Sequence, residues 1–216
     1  MDSRYRTQFI NSLSGFKSVN LIGTQDAQGQ SNLGVFSSVV HLGASPALVG
    51  FVMRPDNGSR HTLDNILSVK HYTINQVCES IYRAAHQTSA RYEKGQSEFL
   101  HTGLSAEYVG NVKAPFVKES RLKYALILKE ILPISLNKTQ FVIGEITHVI
   151  CEDGAIEPDG YIDLEKINTV TVSSLDSYHS TSRLTRLSYA KKDTPLEDIM
   201  LSGSPILGIN AKRENR

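Results

Sequence analysis

Apolar and polar positions along the chain mark out short strands separated by turns, with a few helical stretches between them. Near the start, Tyr5, Phe9, Leu13 and Phe16 recur at i, i+4, i+8 and i+11, which predicts one face of a short amphipathic helix. "SVNLIGTQDAQGQ" predicts a strand running into a turn at Gly29. "SNLGVFSSV" and "ALVGFVMRP" predict two more strands, joined through Gly43 and Pro46. The last is apolar on both faces, as a central or barrel strand is. After the loop "RPDNGSR", "HTLDNILS" predicts a helical turn with Thr62 as its N-cap. "KHYTINQV" follows as a strand, and "CESIYRAAHQTSARY" as a helix with Cys78, Ile81, Tyr82 and Ala85 on one face. Residues 93–119 keep no regular period, and so long a loop is often functional. "LKYALILKEILPI", "QFVIGEITHVIC" and "TVTVSSL" complete the strands, the first two joined by the turn "SLNKT".

The sum is six or seven strands, mostly in hairpin order, with three helices outside them. That pattern predicts a mainly β fold with helical insertions, an antiparallel barrel rather than a doubly wound sheet. Residues 1–190 are expected to form this domain. Residues 191–216 read as a polar C-terminal extension whose apolar patch "PILGI" docks on the body or on a partner.

Composition narrows the function mainly by exclusion. A net charge of +1 over 216 residues provides no field for nucleic acid or an anionic membrane. No apolar run approaches the roughly 20 residues of a spanning helix, and "MDSRYRTQFINSL" is too polar for a secretory leader. Cys78 and Cys151 form no CxxC motif and are expected as reduced thiols in a cytoplasmic protein. The seven histidines follow no HxH or HExxH spacing, so no metal is expected. Walker A, GxGxxG and GxSxG motifs are missing from the sequence.

Two stretches carry candidate chemistry. In "SNLGVFSSV", Asn32, Ser37 and Ser38 are threaded among Val35, Val39 and Val40. Buried polar groups need partners, at a cost of about 1–3 kcal/mol each when they lack them. Apolar strands with a few placed donors are how ligand pockets are built; serines bonded to neighbouring backbone satisfy the pattern equally. The segment Arg54 to Thr62 sets Arg54, Ser59, Arg60 and Thr62 around the start of a short helix, where backbone N–H groups favour phosphate. A capped helix with two solvated arginines is the plain alternative.

"GTQDAQGQSNLGVFSSVVHLGASPALVGFVM", "SRHTLDNI", "QSEF", "VKAPFVKES", "FVIGEITHVIC", "DGYIDLEKI" and "RLSYA" occur in an order that resembles the flavin reductase-like family of split-barrel flavoproteins, over roughly residues 15–190. The resemblance implies a six-stranded antiparallel split β-barrel, usually a homodimer, that binds FMN or sometimes FAD. Reduced nicotinamide, as NADH or NADPH, would be the electron donor. Carried over by position, Asn32, Val35, Ser37 and Ser38 fall at the flavin ring or ribityl chain. Met53 and Arg54 fall where the next strand meets the cofactor, and Ser59, Arg60 and Thr62 at its phosphate. Glu98, His101, Arg183 and Tyr189 are candidates to border the nicotinamide. Catalytic side chains are not assigned, because hydride transfer between two cofactors requires none. Gly34-Val35 stands where the family usually has a small residue and Pro, and Phe116 where Arg is frequent. These departures keep open a flavin-binding sensor or storage protein without reductase activity.

Overall fold

The computed structural model describes residues 1–55, 61–93 and 95–206. In chain order the elements are α1 (Ser3–Ser12), β1 (Lys17–Ser18), β2 (Asn20–Gln25), β3 (Ser31–Phe36), β4 (Val40–Ala44), β5 (Ala47–Met53), α2 (His61–Val69) and β6 (His71–Gln76). These are followed by α3 (Tyr82–Gln87), α4 (Glu98–Thr102), β7 (Ala106–Glu107), β8 (Phe116–Val117), β9 (Leu122–Ile134) and β10 (Thr139–Cys151). The last are β11 (Thr171–Ser173), β12 (Ser177–His179), β13 (Arg186–Leu187) and β14 (Asp198–Ile199).

Seven strands form one sheet in the order β3-β2-β6-β9-β10-β5-β4, every neighbouring pair antiparallel. Its two edges, β3 and β4, are consecutive in the chain. The sheet therefore curls into a barrel that stays open between them, a split barrel, with the segment Ser37–Val39 crossing the opening. The long wall is the β9–β10 hairpin, thirteen residues on each side. Its register shifts between Ile143 and Gly144 and again between Ile146 and His148. Such bulges bend a strand and increase its twist, which helps the wall to curl.

Period-2 alternation distributes the apolar residues over two cores. Leu21 and Ile22 are adjacent in β2 and both fully buried, yet Ile22 packs inside the barrel with Phe51, Tyr72, Leu126 and Val142. Leu21 packs on the outer face with Leu33, Val77, Ile81, Ala85 and Phe99. That outer core fastens α3 and α4 over the β3 edge. A separate short sheet, β1-β11-β12, lies beside it.

Several boundaries differ from the expected ones. The strand expected through "SNLGVFSSV" ends at Phe36, because Ser37 and Ser38 belong to the crossing segment. Thr62 lies within α2, which begins at His61, so it does not cap it. The predicted helix around residue 82 shrinks to Tyr82–Gln87, and Cys78 instead bridges to Thr169. The irregular region contains α4 and the small β7–β8 pair. α1 is capped by the Asp2 carboxylate and ends at Ser12, before Leu13 and Phe16. None of its residues is buried. Arg186 and Leu187 pair with Ile199 and Asp198, on either side of residue 190, while most of the "PILGI" patch lies outside the described residues. Cys78 and Cys151 are both free thiols.

Candidate functional site

The opening of the barrel is a cleft of about 1,140 Å3. Its floor is β3 and the crossing segment, from Asn32 to Val40, and its walls come from α1, β1, the start of α2 and the segment after α3.

One end is a buried amide–hydroxyl network. Asn32 Nδ2 donates to Thr62 Oγ1 at 3.0 Å and to Thr24 Oγ1 at 3.2 Å, and Asn65 Nδ2 donates to the same Thr24 oxygen at 3.2 Å. Thr62 Oγ1 thus accepts, and among the described residues no acceptor takes its own hydrogen. Among those residues nothing competes with a ligand for that hydrogen at the start of α2, where the first backbone N–H groups lack helical acceptors. Gly34 lies beside it. A Cβ there would stand 3.1 Å from the Phe36 ring and 3.8 Å from Thr62 Oγ1, so glycine at this position spares the Phe36 ring a small displacement.

The edge of β3 supplies backbone donors. Leu33 N–H points away from β2 and donates to Glu98 Oε2 at 2.9 Å, and Ser31 and Ser97 hydroxyls meet at 2.8 Å. Antiparallel alternation turns the N–H of Val35, two residues on, in the same outward direction, toward the cleft. Burial holds the Glu98 carboxyl above its ordinary range, against the opposing pull of the Leu33 N–H and the charges of His61 and His101.

The crossing segment separates the two serines. Ser38 Oγ donates to the Val52 carbonyl at 3.3 Å and accepts from the Val52 N–H at 3.1 Å. It stitches the crossing to β5 in place of strand pairing. Ser37 lines the cleft, and among the described residues its hydroxyl has no hydrogen-bond partner. On the opposite wall Tyr178 Oη meets His86 Nδ1 at 3.0 Å, and Arg91 lines the cleft without a carboxylate partner among the described residues.

Residues 15–169 match the family model for the flavin reductase like domain, well over half of the chain. The chain belongs to the flavin reductase-like family. It is 56% identical to a proposed flavin reductase with a split-barrel domain from Shewanella frigidimarina, whose crystal structure superposes with a TM-score of 0.86 over 88% of this chain and 94% of that one. Nitrilotriacetate monooxygenase component B from Bacillus cereus shares the fold at 17% identity, with a TM-score of 0.78 over 87% of this chain and 95% of that one. Flavoredoxin of Desulfovibrio vulgaris does so at 20% identity, with a TM-score of 0.68 over 83% and 91%.

Membership in the flavin reductase-like family makes this chain an oxidoreductase of the flavin-binding kind. Of the residues carried over from the family pattern, Asn32, Val35, Ser37, Ser38, Arg54 and Thr62 line one cleft. Met53 does not join them: its side chain is 2% exposed and packs in the barrel core, because inward positions of β5 alternate as Val49, Phe51, Met53. Ser59 and Arg60 lie outside the described residues. Glu98 lines the cleft, but His101 stacks on Tyr92 with centroids 5.0 Å apart and Tyr189 is exposed elsewhere. Arg183 is committed to ion pairs with Asp163 and Glu165. Sequence reasoning missed Lys17, His61, His86, Arg91 and Tyr178 on the cleft walls. The elements that carry them are far apart in the chain, and no spacing rule links them.

Proposed function

We propose that this chain binds FMN in the split of the barrel and catalyses hydride transfer to it from NADH or NADPH. The observation that carries this reading is the convergence on one cleft of donors that have no protein acceptor among the described residues: the Thr62 hydroxyl, the outward Val35 N–H and the Ser37 hydroxyl, beside the start of α2. Such a set suits a planar, oxygen-rich, anionic ligand. Thr62 and the first N–H groups of α2 would hold the flavin phosphate, joined by Ser59 and Arg60, which precede them in the chain. Gly34 and Val35 would lie under the ring, Val35 N–H and Ser37 Oγ would donate to its edge heteroatoms, and the Asn32–Thr24–Asn65 network would hold Thr62 in place. When bound, the flavin would supply the two-electron chemistry. The residues of the chain orient the two partners and keep water from the reacting face, and proximity of that kind is a large share of catalysis in bimolecular transfers.

A second copy of the chain completes this reading. α1 carries Tyr5, Phe9 and Ile10 in the open, followed by Leu13 and Phe16, all at least 45% exposed, and Phe16 reaches the wall of the cleft. A bare apolar face of that extent fits a homodimer contact. The free thiols Cys78 and Cys151 suit a reducing compartment such as the cytoplasm.

The test is the visible absorption of purified protein titrated with FMN, then mixed anaerobically with NADH or NADPH. Saturable binding followed by bleaching of the flavin band supports the reductase. Binding without bleaching replaces it with a flavin carrier reduced by another partner, and failure to bind FMN or FAD overturns it.

A further inference from the structure

Lys17 and Arg54 reach the cleft from different elements, β1 and the end of β5, and converge on one residue of α1. Lys17 Nζ donates to the Asn11 carbonyl at 2.7 Å and to Ser14 Oγ at 3.2 Å. Arg54 Nη2 donates to Asn11 Oδ1 at 3.4 Å. Among the described residues neither cation has a carboxylate within ion-pair distance. The two acids of the cleft are occupied elsewhere: Asp176 accepts from Gln8 Nε2 at 3.0 Å, and Glu98 accepts from Leu33 N–H. Burial and then the charge of Arg54 lower the pKa of Lys17. Two cations gathered on one amide, with no acid between them among the described residues, repel each other, and an arriving anion relieves that repulsion. The contact of Lys17 with the Asn11 carbonyl is an ordinary end for a helix. It does not explain why Arg54 is brought to the same place.

This cluster is separate from the phosphate end of the cleft. Thr62 is tied through Asn32 to Thr24, near the far end of β2, whereas Lys17 precedes Asn20 at its beginning. Four residues of strand separate Thr24 from Asn20, about 13 Å at the rise of an extended chain. A mononucleotide with its phosphate at Thr62 leaves room beyond it, since about 1,140 Å3 exceeds the roughly 300–1,000 Å3 of an ordinary small-ligand pocket.

We propose that Lys17 and Arg54 form a second anion subsite of the cleft, which takes the pyrophosphate of a dinucleotide. The proposal rests on the nucleotide-binding reading given above and assigns Arg54 to this second group. The pyrophosphate has two possible sources, the adenylyl half of FAD or that of the nicotinamide donor.

The experiment uses the full chain and its Lys17→Gln, Arg54→Gln and Lys17→Arg variants, each checked for an unchanged melting profile. Calorimetry with ADP reads the subsite without any flavin. Fluorescence titration with FMN and FAD, and the KM for NADH and NADPH, identify the source. ADP affinity should fall about tenfold in Lys17→Gln and in Arg54→Gln, the loss of one charge-assisted contact, and should be retained in Lys17→Arg. FMN affinity of Lys17→Gln should stay within about twofold of the parent protein. A parallel loss for FAD with unchanged KM supports the flavin source, and a raised KM with unchanged FAD affinity supports the donor. ADP binding that is absent from the parent protein, or equal in all variants, overturns the subsite and leaves Lys17 as a helix-end contact. An FMN loss in Lys17→Gln as large as the ADP loss overturns it too, because the pair then grips the mononucleotide phosphate. ADP binding that depends on Lys17 in a protein that takes no flavin sinks the reductase reading and keeps the subsite.

Discussion

Inside the closed wall of the barrel the Tyr72 hydroxyl is buried among Phe51, Leu126 and Val142 with no hydrogen-bond partner among the described residues, and burial pushes its ionisation far above the ordinary tyrosine range. At the open seam, the Thr62 hydroxyl is also buried in residue terms, but it is held by Asn32, and Thr62 lines the cleft. The same antiparallel ladder runs through both regions. The wall pairs every strand on both sides and excludes partners for a stray hydroxyl. The seam leaves the outer edges of β3 and β4 unpaired, and an edge strand exposes donors that something must meet. Part of that demand is met internally, by Glu98 on Leu33 and Ser38 on Val52, and the remainder is offered to a ligand.

The contrast is broken most forcefully from the wall. A Cβ on Gly144 would stand 2.1 Å from Tyr72 Oη and 3.1 Å from Leu126 Cβ, so Gly144→Ala should cost about 1–3 kcal/mol of unfolding free energy in a urea melt. Tyr72→Phe in that background should return part of it, because the clash is with the hydroxyl; no recovery would place the strain in the backbone. At the seam, Thr62→Val removes the acceptor of Asn32 and the donor to the ligand. FMN affinity should fall about tenfold while stability drops by about 1 kcal/mol. An unchanged affinity would detach Thr62 from the ligand. Tyr72→Phe alone should be neutral or stabilise by up to about 1 kcal/mol, since it deletes a buried hydroxyl that bonds nothing; a clear loss would reveal a hidden partner.

The smallest effect concerns Glu98. Its folded pKa lies above the unfolded value near 4.5, so the folded state binds the extra proton. Its contribution is fully present below that unfolded value and is lost as pH rises through the folded one. Glu98→Gln should remove this decline, so the Tm of the variant should fall less than the parent's between pH 4.5 and neutrality. Parallel Tm profiles would show that the carboxyl titrates no differently in the folded chain.

Much of the wall was legible beforehand. β9 and β10 occupy the segments expected for them, because a long strand with one buried face writes its period into the chain, and the turn "SLNKT" sets their pairing. The seam was only half legible. Asn32 and Ser37 stood out as polar residues among valines, but the strand was carried through Ser38, because residue types do not show where a strand leaves its sheet. Met53 entered the site with Arg54 through the family pattern, but its side chain packs in the barrel core while Arg54 lines the cleft.

By itself the sequence determined the class of fold, most strand segments along the chain and the family, since these rest on local periods and on short motifs kept in order. Tertiary structure alone decided which polar groups meet. Lys17 comes to Arg54, Asn32 to Thr62 and His86 to Tyr178 across 37, 30 and 92 positions of chain. A barrel that curls until its first and last strands face each other brings such residues together through its closure, and no local pattern encodes that distance.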